Sequence, residues 1–284
     1  MNTTDRLRRH ATSAAVTAGV IAITGAIASA CVAGPAHAAP ALAGTGGTTQ
    51  MSKVTRNFSL TPMPQGQLTV TTGSAHLTAH GFTPNSSHEV AVSLLGTDIR
   101  LGTLAASAAG SVSWTGSLSQ LQQALGQYGA KPPSGSVRMV ILNAGSGSPV
   151  IAQTTPVSGS GTFAVQAVEP GWGVIKPGTG TITYDPAGRT LSVTINAYGL
   201  TPGAHAAHIH AGSCRQQGAI VYTLMDFTAD SHGAIVHQTR TVRGVGAVKF
   251  GGGWYFNLHQ GNASNITSHG KPTINFRPLL CSDL

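Results

Sequence analysis

His208-Ile209-His210 places two imidazoles two residues apart, and in a β-strand that spacing turns both toward one face while Ile209 goes to the other. Further along, Trp254-Tyr255-Phe256-Asn257-Leu258-His259 alternates in the same way. Trp254, Phe256 and Leu258 share one face, and Tyr255, Asn257 and His259 share the other. If the two strands are neighbours, His208, His210 and His259 converge on one patch on the outer side of the sheet. Three imidazoles suit copper or zinc, whereas calcium and magnesium need clustered oxygens. His205 is out of phase with that face, but it sits in the adjoining turn, where it would supply a further ligand. Asn257 lies on the ligand face and would orient a ligand through a second hydrogen bond. The competing reading is that these histidines bond to loop backbone and hold the sheet edge together.

The remaining chemistry is sparse. Beyond residue 38 the acidic residues are Glu89, Asp98, Glu169, Asp185, Asp226, Asp230 and Asp283, and they do not cluster. That argues against a calcium site and against the carboxylate pair of a glycosidase. There is no Gly-x-Ser-x-Gly elbow, no phosphate loop and no Cys-x-x-Cys. His232, His237 and His269 read as surface residues. His76 and His80 share a strand face without partners, and Trp172 and Trp254 read as core aromatics.

The elements that must position these residues are strands. The chain has 284 residues, 37 of them Gly, and only 8% are charged. Val, Ile and Leu alternate with Thr and Ser between Gly/Pro turns, the pattern of an all-β protein. Strand patterns appear at 67–72, 74–80, 88–95 and 137–142, and again at 163–169, 179–184, 190–198, 206–211, 220–226, 234–243 and 253–259. Leu118, Leu121, Leu125 and Tyr128 fall at helical spacing and predict one short helix. Thr155-Pro156-Val157-Ser158-Gly159-Ser160-Gly161 is a linker. The expectation is two β-sandwich domains of Greek-key or immunoglobulin-like type, at 56–157 and 162–284, with the helix in the first. A weak echo of Leu77–Pro84 in Ile195–Pro202 hints at duplication, and it pairs Val90 and Val92 with His208 and His210.

The N-terminus has export character. Arg6, Arg8 and Arg9 precede an apolar run from Ala14 to Ala30, and Ala36-His37-Ala38 suits cleavage. Residues 1–38 are read as a signal peptide and 39–55 as a flexible lead-in. Lipidation at Cys31 is a weaker alternative. The protein is then expected in the secreted or cell-envelope fraction, without a membrane span once the signal is removed. Cys214 and Cys281 are the only other cysteines, and in an oxidising compartment they are expected to pair. Two free thiols acting as soft metal ligands is the competing reading. The formal charge is +8; removing residues 1–38 takes away three Arg and one Asp and leaves +6. The cations are scattered singly, which gives no nucleic-acid footprint but would attract anionic envelope polymers.

With these segments in view, the C-terminal region resembles a CHRD (chordin-type) domain. The carrying segments are Thr181–Asp185, Gly199–Pro202, His208–Gly212, Gly218–Val221 and Trp254–His259, within residues 162–284. The resemblance implies an all-β module of secreted or cell-surface proteins. The order His-x-His, Cys, His, Cys also resembles Cu/Zn superoxide dismutases. That likeness implies copper ligation by His208, His210 and His259, and a disulfide from Cys214 to Cys281 tying a loop to the last strand. The segment after Cys214 departs from that family: no His occurs before His232, so a zinc subsite is not expected. Three functions follow: an envelope copper-binding (or zinc-binding) module for metal handling or redox protection, a metal-free adhesion or scaffold module, and a copper-dependent oxidoreductase of superoxide dismutase type.

Overall fold

A computed structural model describes residues 52–94, 97–126, 137–144, 149–248 and 250–284. Residues 1–38, read above as a signal peptide, Cys31 with its lipidation alternative, and residues 39–51 of the expected lead-in lie outside the described residues. In chain order the first strands are β1 (Val54–Pro62), β2 (Gln65–Val70), β3 (Ser74–His80), β4 (Ser87–Leu94), β5 (Thr97–Ala105) and β6 (Ser111–Ser117). The helix α1 (Leu118–Gly126) follows, then β7 (Val137–Asn143), β8 (Val150–Thr154), β9 (Gly161–Glu169) and β10 (Gly173–Val174). Next come β11 (Lys176–Asp185), β12 (Thr190–Tyr198), β13 (Gly203–Ser213), β14 (Gln216–Ala229) and β15 (Ala234–Arg243). The last are β16 (Trp254–His259), β17 (Thr267–Ser268), β18 (Lys271–Pro272) and β19 (Pro278–Asp283).

The all-β expectation holds, with one short helix between β6 and β7. Two large sheets carry the fold. One runs β5-β4-β7-β8-β9-β2-β3-β6, with β10 added on β9. The other runs β14-β13-β16-β19-β1-β11-β12-β15. In each, the two end strands are consecutive in the chain, so the sheet curls toward a barrel. Side chains help to close the second: Gln238 Nε2 donates to the Thr228 carbonyl at 2.6 Å, and Arg240 Nε donates to the Asp226 carbonyl at 2.7 Å. Each sheet encloses its own core. Leu68, Leu77, Val90, Val92 and Ile141 fill the first, and Leu60, Ile182, Val193, Ile195, Ile209, Phe256 and Leu280 fill the second. Strict alternation explains this: Leu191, Val193, Ile195 and Ala197 point inward from β12, and the residues between them do not.

Sheet membership crosses the linker at 155–161. Strand β1 pairs with β11 over Val54–Leu60 and with β19 at Thr61 and Pro62, which puts it in the second sheet. Strand β9 lies between β8 and β2 in the first. The two sheets are therefore tied by exchanged strands rather than by one flexible connection. Trp172 departs from its expected core position and is 40% exposed. No described helix is long and apolar enough to cross a membrane.

Candidate metal centre

Strands β13 and β16 are antiparallel neighbours, which is the condition for their histidines to meet. His208 stands opposite Asn257, and His210 opposite Tyr255. Ala207, Ile209, Phe256 and Leu258 point into the barrel and are fully buried. The alternate residues form the outer face, and there the three imidazoles meet. One ring nitrogen from each of His208, His210 and His259 lies within 4.8 Å of the others.

The outer face is not a surface, which corrects the expected surface cluster. His208, His210 and His259 are only 3%, 2% and 0% exposed. The chain after β16 folds back over them. Gln260 and Gly261 donate backbone N–H groups to the Arg277 and Asn275 carbonyls, both at 2.9 Å. The Phe276 ring then lies 4.5 Å from the His259 ring, centroid to centroid. On the other flank Tyr255 stacks on His210 at 4.9 Å.

Backbone carbonyls orient two of the rings. His259 Nδ1 is 2.7 Å from the Phe276 carbonyl and His210 Nδ1 is 3.0 Å from the Gly218 carbonyl. A carbonyl only accepts, so each Nδ1 carries the proton and each Nε2 keeps its lone pair. Glycine at 218 allows this approach, because a Cβ there would run into the Ala211 carbonyl. His208 Nδ1 faces His259 Nε2 at 3.0 Å. Two ligands bound at about 2.0–2.1 Å to one ion sit roughly 3 Å apart or slightly more, so this spacing suits a shared ion.

Burial keeps the rings neutral. It pushes His208 down to about 4, with His210 adding to the shift. His210 is lowered by burial against the opposing bond to Gly218, and His259 lies well below the usual range through burial and its two neighbours. Neutral imidazole is the form that binds metal. The Tyr255 phenol, raised to about 12 by burial, accepts from the Gly218 N–H at 3.3 Å and stays protonated.

His205 does not join the group. Its Nδ1 faces the His259 carbonyl at 3.0 Å and its Nε2 the Thr201 carbonyl at 2.8 Å. Both nitrogens face backbone carbonyls rather than the triad, so the residue braces the loop behind His259 instead of reaching the cluster. Cys214 and Cys281 form the expected disulfide, with Cα atoms 5.9 Å apart, which removes them as thiol ligands. Cys281 is the register partner of Asn257, so His208, Asn257 and Cys281 form one row across β13, β16 and β19. His232, His237 and His269 are exposed.

Two features escaped the sequence reading. Arg277 and Glu169 form an ion pair at 2.8 Å with side chains 2% and 0% exposed, joining the end of the covering segment to β9. A lone arginine in the apolar run from Phe276 to Cys281 was the available signal. His88, only 3% exposed, bonds Ser86 Oγ through Nε2 at 2.6 Å, and burial lowers it to about 4.

Comparison with known proteins agrees with the resemblance. Residues 146–265 match the family model described as CHRD domain. The match contains all three histidines and stops before Arg277 and Cys281. Among solved structures, the Cu/Zn superoxide dismutase from Brucella abortus is similar, with 20% identity over 39% of this chain and 91% of its own length, at a TM-score of 0.30. No curated protein matches the chain.

Proposed function

We propose that this chain, which carries a CHRD domain match over residues 146–265, is an exported protein that binds a transition-metal ion. His208 Nδ1, His210 Nε2 and His259 Nε2 are the ligands in this reading. Copper is the first choice and zinc the second, because the donor set is all imidazole. The observation that carries the reading is the meeting of three buried, neutral rings with ligand atoms within 4.8 Å of one another. Two of those rings are already oriented by carbonyls on their far nitrogens, the arrangement that commonly fixes metal-binding histidines.

The ion would supply one-electron redox chemistry if copper, or Lewis acidity if zinc. The chain's own contribution is to hold the rings neutral, fix their orientation and shield the site beneath Phe276. That enclosure fits metal handling or redox protection in the cell envelope. The scattered positive charge supports weak attraction to anionic envelope polymers.

A metal-free scaffold is the second reading. It is favoured by the His208–His259 contact at 3.0 Å, which braces β13 against β16 without an ion. Metal analysis of protein purified from an oxidising compartment, then reconstituted with copper or zinc, separates the two. About one ion per chain in the wild type and loss of uptake in His259→Ala supports metal binding. Uptake well below one equivalent for both metals overturns it. Superoxide turnover by the copper-loaded form, abolished in His259→Ala, would assign a dismutase-type oxidoreductase.

A further inference from the structure

Asn257 is 1% exposed, and neither its Oδ1 nor its Nδ2 has a hydrogen-bond partner among the described residues. A buried carboxamide with both ends unpaired is strongly unfavourable, since each group gives up water and gains nothing. Its position is not peripheral. Asn257 stands directly opposite His208, and Tyr255 and His259 flank it on the same face of β16. Residues opposite one another across an antiparallel pair have Cβ atoms about 5 Å apart. The nearby His210 Nε2 is also buried and unpaired. The unsatisfied polar atoms of this outer face, those of Asn257 and His210, thus lie on two paired strands, β16 and β13.

A bare ion accounts for His210 Nε2 but not for the amide. If Oδ1 bound the ion directly, the Nδ2 hydrogens would remain without an acceptor. Three imidazoles also leave one position of a four-coordinate ion unfilled. A small ligand that both accepts and donates hydrogen bonds, as water does, meets both needs. We infer that the Asn257 carboxamide anchors a small exogenous ligand, water or a small anion, at the position the three imidazoles leave open. This rests on metal binding by the triad, and it makes Asn257 the residue that selects what reaches the ion.

Azide is the probe. Copper(II) affinity is measured by chelator competition, and azide affinity by titrating the visible absorption of the copper-loaded full chain. In Asn257→Leu the expected result is one copper bound with affinity within about threefold of wild type, and azide binding weakened about tenfold. That factor corresponds to loss of one hydrogen bond to a charged acceptor. Asn257→Asp keeps the shape, removes the donor and adds a repelling charge, so it also weakens azide and serves if the leucine variant does not fold. Azide affinity unchanged in the folded variants overturns the inference. So does collapse of copper affinity in Asn257→Leu, which would make the amide a direct ligand. A wild type that takes up no copper instead sinks the triad reading, and the inference with it.

Discussion

Replacing Arg277 by methionine should destabilise the fold by about 3–5 kcal/mol, the usual consequence of stripping one partner from a buried ion pair. The structure supports the full range. Arg277 Nη2 donates to Glu169 Oε2 at 2.8 Å, Nε donates to Gln260 Oε1 at 3.0 Å, and Nη1 donates to the Val168 carbonyl at 3.2 Å. Removing the guanidinium leaves a fully buried carboxylate with only the Thr201 hydroxyl, at 3.2 Å, as a remaining side-chain partner among the described residues. It also deprives Gln260 and the Val168 carbonyl of their donor. The double variant Arg277→Met, Glu169→Leu removes both charges and should recover a large part of the loss, because an apolar pair of similar volume escapes the desolvation penalty. Urea unfolding followed by tryptophan fluorescence gives both numbers, provided the slope with urea is unchanged. A cost below about 1 kcal/mol for the single variant, or a double variant no more stable than the single, would refute the reasoning.

Three other outcomes follow. The metal-free protein should lose stability on acidification: burial holds His88 and His208 at about 4 when folded, below the ordinary histidine value of about 6.5, so the unfolded chain binds more protons between those pH values. Stability should be flat above about pH 7 and fall as pH drops from 6.5 toward 4, with each ring contributing up to about 3 kcal/mol; urea midpoints at pH 7.5 and 4.5 in the presence of chelator check this, and equal values would contradict it. Replacing both Cys214 and Cys281 by serine opens a loop with a sequence separation of 67 and should cost about 4 kcal/mol on the chain-entropy model, read as a lowered calorimetric transition. Asn257→Leu should stabilise the metal-free form by about 1–3 kcal/mol, since it removes unpaired buried polar atoms, and a destabilised metal-free variant would count against the orphan-amide account.

Much of the site was legible before the fold was seen, and the reasons are geometric. A period of two tells which residues share a face, so His208 with His210, and Asn257 with His259, followed from spacing alone. Period does not tell which strand lies alongside. Phe58 and Leu60 alternate as well for either sheet, so the pairing of β1 with β11 was invisible, as was the seat of β9 between β8 and β2. Burial of the cluster was hidden for another reason. Residues 260–275 are rich in Asn, Ser, Gly and Thr and read as an exposed loop, but their backbone bonds bring Phe276 down onto His259. His205 shows that closeness in the chain is not closeness at the site: its nitrogens face the His259 and Thr201 carbonyls, which turn them away from the triad.

Pulsed electron paramagnetic resonance on the full chain loaded with one equivalent of copper(II) tests the central claim most directly. Imidazole nitrogen couplings should be present in the wild type and should be altered or lost in His208→Ala, His210→Ala and His259→Ala alike. A copper spectrum indifferent to all three substitutions would place the ion elsewhere and leave the buried rings as braces between strands.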